Sequence, residues 1–157
     1  MNINIICVGK LKEKYWVMAE NEYSKRLSRF VKLNLIQLPD EKLTGNDSLD
    51  NIAKEKEGEK IISKIPKNSF VIAMDIKGKQ LSSEEFSKQI ENLSITGKSN
   101  ITFIIGGSLG ISDSVLKKAD KKISFSKMTF PHQLFRIMLL EQIYRSFKII
   151  NNETYHK

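Results

Sequence analysis

"NITFIIGGSLG", residues Asn100 to Gly110, is an apolar run that stops abruptly at Gly106-Gly107 and turns through a short loop closed by Gly110. So uniform a run has no wet face, which marks a strand covered on both sides in a parallel sheet. The glycines after it give a backbone that a ligand can approach closely. Together they predict an α/β sheet with a binding loop at a strand end.

The pattern extends in both directions along the 157 residues. "NINIICV" (Asn2 to Val8), "LNLIQL" (Leu33 to Leu38), "SFVIAMDI" (Ser69 to Ile76) and "KISFS" (Lys122 to Ser126) read as further strands. Glu13 to Phe30, Ser48 to Ile65, Ser82 to Leu93 and Ser112 to Ala119 read as the helices between them. Ser82 and Glu85 have capping-box spacing, and Pro66 and Gly97 fall where helices end. The alternation predicts an α/β fold with a mainly parallel sheet and helices on both faces. Residues 1–157 are expected to form one domain, with Pro39 to Asp50 as a polar surface connection.

The last helix, His132 to Ile150, gathers Glu141, Gln142, Arg145 and Lys148 on a narrow face, while Leu134, Ile137, Met138, Leu139, Leu140, Ile143 and Phe147 cover most of the rest. A helix so widely apolar needs cover on more than one side. One small sheet supplies one side, so a second copy of the chain is expected to supply the other, giving a homodimer. Arg136 stands alone on the apolar face and must meet a carboxylate, carbonyls or the facing subunit. A structural ion pair and a substrate contact both fit it.

Twenty-six Lys and Arg against eighteen Asp and Glu leave a net charge of +8, which favours a polyanionic partner. The excess concentrates from Lys117 onward, with nine cations against three anions. The lone Cys7 lies in an apolar run and reads as a small buried hydrophobe in a reducing compartment. No apolar run approaches a membrane span, and no leader pattern opens the chain, so the expected location is the cytoplasm, with no membrane partner.

The glycine loop is neither a dinucleotide fingerprint nor a P-loop, since G-x-G-x-x-G and Gly-Lys-Ser/Thr are absent at the required spacing. Two other strand ends should lie beside it: "AMDIKGK", with Met74, Asp75 and Gly78, and "SFSKMTFPH", from Ser124 to His132. The pocket they enclose is lined by Met74, Phe125, Met128, Phe130 and glycines. That lining suits a flat base and a thioether chain better than a triphosphate with its metal, because no Mg²⁺ ligand set is present. Phe125 fits core and pocket equally. The tail "NNETYHK" has no apolar anchor, yet Tyr155 and His156 are suited to stacking on a base if the helix returns them to the pocket.

The combination of "VGKLKEKYW", "KEKEGEKI", "MDIKG", "FIIGGSLG", "SFSKMTFPHQLFRIMLLEQIYRSFKI" and the terminal "YHK" resembles the RlmH family, the bacterial large-subunit rRNA pseudouridine N3-methyltransferases of the SPOUT class. The resemblance covers essentially the whole chain. It implies a SPOUT fold with a C-terminal deep trefoil knot, a homodimer, and S-adenosyl-L-methionine as cofactor. It also implies a pseudouridine of 23S rRNA in the 70S ribosome as substrate, with no metal. Bottom-up reasoning does not reach the knot, because knotted chains are too rare to expect.

Carried over by position, the implied cofactor contacts are Met74, Gly106, Phe125, Ser126, Lys127, Met128, Thr129 and Phe130. Met74 stands where relatives often have leucine, a volume-conserving change. Arg145, Tyr155 and His156 are implied near the methyl group and the target base. Arg145 would hold the base and stabilise its imide anion while His156, or water beside it, takes the proton. Glu141, four residues before Arg145, equally allows an ordinary helix-surface ion pair. A non-catalytic RNA-binding module would use the same basic surface but leave the glycine loop without a task. A nicotinamide oxidoreductase lacks its fingerprint.

Overall fold

In the computed structural model, which describes residues 1–156, the apolar runs become five strands. β1 (Asn2–Val8), β2 (Lys32–Leu38), β3 (Phe70–Gln80), β4 (Asn100–Ile105) and β5 (Lys121–Ser124) form one sheet in the order β2-β1-β4-β3-β5. Every pairing is parallel. The helices are α1 (Lys14–Leu27), α2 (Asp47–Lys64), α3 (Ser83–Ile95), α4 (Asp113–Lys118) and α5 (His132–Ile150).

The period of two along β1 explains the layering. Ile3, Ile5 and Cys7 face a core shared with α1, α3 and α5, whereas Ile6 and Val8 face a second core with α2 and α4. Both faces are therefore dry, and the buried polar side chains of the central strands, Asn4 and Thr102, are hydrogen-bonded to each other at 3.3 Å. Burial pushes the Cys7 thiol up to about 12, the inert thiol expected of a packing residue.

Ser82 caps α3 as its spacing foretells. Its hydroxyl accepts from the Glu85 amide and the Glu85 carboxylate accepts from the Ser82 amide, at 3.1 and 2.8 Å. Ser82→Ala is expected to cost about 1 kcal/mol, a fall in Tm of about 2–4 °C by calorimetry.

Two expectations are corrected by the fold, and one open alternative is resolved. The apolar breadth of α5 is covered largely within the chain, because α5 lies on the sheet with α1 on one flank and α3 on the other. Its breadth therefore does not by itself call for a second copy. Arg136, 3 % exposed, resolves as an intrachain contact. It donates to the Gly9 carbonyl at 2.8 Å and to the Glu20 carboxylate and Gln37 side-chain oxygen, each at 3.1 Å. This ties the first turns of α5 to the end of β1 and to α1.

β3 also runs to Gln80 rather than stopping near Ile76. β5 pairs with it on both sides of a bulge, so that Ile123 faces Met74 and again Lys79. Of the residues between those two pairings, Asp75 and Ile76 line the cleft described below. Gly78 makes the second pairing possible: a Cβ there would lie 2.6 Å from the backbone nitrogen and carbonyl carbon of Ile123.

Candidate functional site

The carboxyl ends of β4, β3 and β5 are neighbours, as a ligand site in a parallel sheet requires. They open into a cleft whose apolar floor comes from Met74, Ile105, Ile111 and Phe125. Gly106, Gly107 and Gly110 form one wall; Ser126, Met128, Thr129 and Phe130 form the other. His132 and Phe135 close it from the start of α5, and the Phe125 and Phe135 rings lie 4.8 Å apart.

Local hydrogen bonds set the wall after β5. The Ser124 hydroxyl donates to the Ser126 carbonyl at 2.8 Å, and the Met128 amide donates to the Ser126 hydroxyl at 3.0 Å. Met128 is left 75 % exposed at the lip, beside Ile76 at 49 %. Of the eight residues expected around a cofactor, seven line the cleft. Lys127 is the exception: it is exposed, and its side chain is no part of the lining.

The glycines serve the loop before they serve a ligand. The Gly110 amide donates to the Gly107 carbonyl at 3.0 Å, and Gly110 holds φ at +78°, a left-handed conformation that favours glycine. A Cβ on Gly106 would stand 2.9 Å from the Gly110 backbone. One on Gly107 would stand 2.6 Å from the Asp40 carboxylate. The small residues therefore let the loop fold back on itself and against the end of β2, which shapes the wall that a ligand meets.

The tail turns back onto α5 and α3. Arg145 donates twice to the Glu141 carboxylate, at 2.7 and 3.0 Å, and its guanidinium lies 4.7 Å from the centre of the Tyr155 ring. The Tyr155 hydroxyl donates to the same Glu141 oxygen at 3.2 Å. His156 Nδ1 lies 3.2 Å from Arg145 Nη1, and Nε2 lies 2.7 Å from the Glu84 carboxylate. One neutral tautomer satisfies both contacts, with Nδ1 accepting from the arginine and Nε2–H donating to Glu84.

That arrangement assigns the expected roles differently. The ion-pair reading of Arg145 is realised, and its pair with Glu141 is the frame on which Tyr155 and His156 rest. The Nδ1 lone pair of His156 is occupied by Arg145, so the ring is a proton acceptor only after that contact parts. Burial, then Glu141, pushes the Tyr155 hydroxyl up to about 12, which keeps it a donor at neutral pH. The His156 contact holds the Glu84 carboxyl down to about 2. Lys157 lies outside the described residues.

Arg145, Tyr155 and His156 do not line the cleft. Between the two lies a second cavity, floored by Phe86 and Met138, which shares Ile123 and Phe125 with the cleft and reaches Glu141 at its far end. Reading the sequence missed Ile111 and Phe135 in the cleft and Glu84 in the tail cluster. The first two are ordinary core residues by pattern, and Glu84 reads only as an acid in a helix's first turn.

Among the described residues, no three His, Cys, Asp or Glu side chains converge to hold a metal ion. No helix is long and apolar enough to cross a membrane.

A family described as "Predicted SPOUT methyltransferase" matches residues 1–156. A Clostridium perfringens protein named ribosomal RNA large subunit methyltransferase H 1 is 63 % identical, covering 100 % of both chains. Proteins named ribosomal RNA large subunit methyltransferase H from Clostridium botulinum and Clostridium kluyveri are 62 % identical, again over 100 % of both chains.

Proposed function

Because the chain belongs to the SPOUT methyltransferase family, we propose that it transfers the methyl group of S-adenosyl-L-methionine to N3 of a pseudouridine in 23S rRNA of the assembled ribosome. The observation that carries this reading is the cleft at the ends of β4, β3 and β5, in a chain that large-subunit rRNA methyltransferases match end to end.

The lining fits that cofactor. The Met74, Ile105, Ile111 and Phe125 surfaces suit a flat adenine and a thioether-like chain, while Ser126, Thr129 and Asp75 offer hydroxyl and carboxyl partners to its polar parts. When bound, the cofactor supplies an electrophilic methyl group on a sulfonium. The cleft residues hold it at one angle, and such orientation is worth up to about 7–11 kcal/mol of barrier. The target nitrogen is an imide that is protonated at neutral pH. Arg145 stabilises its anion, and His156 accepts the proton at Nδ1 once the base has displaced the guanidinium from that atom.

Arg136, Arg145 and Lys148 are already paired with carboxylates of the same chain. In the C-terminal third, the cations among the described residues that remain free to meet rRNA phosphate are therefore Lys117, Lys118, Lys121, Lys122 and Lys127, all exposed around α4, β5 and the lip of the cleft. Binding through them falls steeply with salt. The reading includes a homodimer, supported by the exposed Ile76 and Met128 at the cleft mouth and by the separation of cleft and tail cluster within one chain. It also includes one domain over residues 1–157 with the family's C-terminal trefoil knot, and work in the cytoplasm, where ribosomes are.

Transfer of labelled methyl from S-adenosylmethionine tests it. The substrates are whole ribosomes, isolated large subunits and naked rRNA from cells lacking the activity. Label confined to one pseudouridine of whole ribosomes is expected. Cofactor binding without label in any of the three would overturn the substrate, and absence of cofactor binding would overturn the cleft.

A further inference from the structure

An acidic pair lies against the glycine loop and has no part in the transfer just described. Glu57 of α2 is 2 % exposed. One carboxyl oxygen accepts from the Glu41 amide at 2.8 Å. The other, Oε1, is buried with no donor at all. The exposed Asp40 carboxyl neighbours the Glu57 carboxyl and in turn touches the loop: Oδ1 is 2.6 Å from where a Gly107 Cβ would be, and Oδ2 accepts from the Ser108 hydroxyl at 3.4 Å.

Glu41 is paired with Lys60 at 3.1 Å, Glu55 accepts from Ser114 of α4 at 3.1 Å, and the Lys54 ammonium lies 3.9 Å from the Cβ position of Gly110. Among the described residues neither Glu57 nor Asp40 has an ion-pair partner within 4 Å. Two adjacent carboxylates, one of them buried, do not both ionise cheaply. A proton on Glu57 Oε1 removes the charge, gives the orphaned oxygen a hydrogen bond, and gives Asp40 a donor. Burial first, then the Asp40 and Glu41 carboxylates, push the Glu57 carboxyl above its ordinary 4.5.

We infer that Glu57 and Asp40 share one proton, and that this carboxyl–carboxylate hydrogen bond is a positioning device for the glycine loop of the cleft. Loss of the proton to solvent turns the bond into a repulsion and pushes Asp40 off Gly107 and Ser108. Because the folded value is raised, the tether is complete below the ordinary carboxylate range and is lost as pH rises through the folded value. The consequence for cofactor affinity rests on reading the cleft as an S-adenosylmethionine site; the loop's own response does not.

The test follows the backbone amides of Gly107, Ser108 and Gly110 in the ligand-free full chain by NMR across pH, with S-adenosylmethionine affinity measured by calorimetry at each step. The expected result is one shared midpoint above the ordinary carboxylate range, with affinity falling about fivefold through it, the low end of coupling between sites. Glu57→Gln keeps a donor towards Asp40 and must abolish the titration in both readouts; Asp40→Asn must lower the midpoint. Amides that do not titrate, or a titration that survives Glu57→Gln, overturn the inference. So does an affinity that ignores a titrating loop. If the amides titrate and Glu57→Gln abolishes it while S-adenosylmethionine binds at no pH, the tether stands and the cofactor reading falls.

Discussion

Gly78→Ala is expected to lower the stability of the ligand-free protein by about 3 kcal/mol, the upper part of the range for forced overpacking. For a chain of this size that corresponds to a fall in Tm of about 6–12 °C by calorimetry. The added methyl carbon would sit 2.6 Å from two backbone atoms of Ile123 and 2.7 Å from the carbonyl carbon of Lys122. A flexible side chain would swing away, but this neighbour is the backbone of β5, held by its pairing on both sides of the bulge. Alanine's better intrinsic strand preference, worth about 0.5–1 kcal/mol over glycine, is too small to offset that. The same substitution should weaken S-adenosylmethionine binding, since Ser124 and Phe125 leave β5 directly for the cleft. An unchanged Tm would show that β5 and β3 part at no cost and would remove the bulge from the account of the site.

That bulge marks the boundary of what the chain declares in advance. β1 and α5 begin and end where the apolar pattern says, because burial on two faces or along a helix is written in local periodicity. The capping box of α3 is equally local. The three neighbouring strand ends follow from the rule for parallel sheets, so the cleft was legible down to Met74 and Phe125. What was not legible is non-local. Arg136 finds Glu20 and Gln37 across more than ninety intervening residues, and no spacing rule reaches that far. The cover on α5 comes from α1 and α3, neither of which adjoins it in the sequence. β3 passes its expected end because a strand fifty residues later pairs with it twice. Glu57 reads as one acid in a charged helix, and only the fold shows that it is buried beside Asp40.

Arg145→Ala is expected to reduce methyl transfer at least 100-fold, the loss seen when one preorganised donor to a developing anion is removed, while leaving S-adenosylmethionine affinity within about twofold. The two readouts separate because Arg145 lines neither the cleft nor the second cavity and meets the latter only through its partner Glu141, at that cavity's far end. The fold should tolerate the change: an i,i+4 pair at a partly exposed site contributes only about 0.3–0.5 kcal/mol, so inactivity will not mean unfolding. Arg145→Lys tests the geometry, since an ammonium keeps the charge but cannot hold Glu141 and His156 Nδ1 in one planar fork. It should recover little of the rate. Removing His156 with Lys157 separates the two roles further. Glu141 and Arg145 stay paired, so a loss of turnover that deepens as pH falls would place the proton acceptor on His156. Full activity after that truncation would leave solvent as the acceptor and reduce the tail to a cover over Arg145. Unchanged turnover in Arg145→Ala would remove the cluster from the chemistry altogether and leave its ion pair as a surface contact of α5.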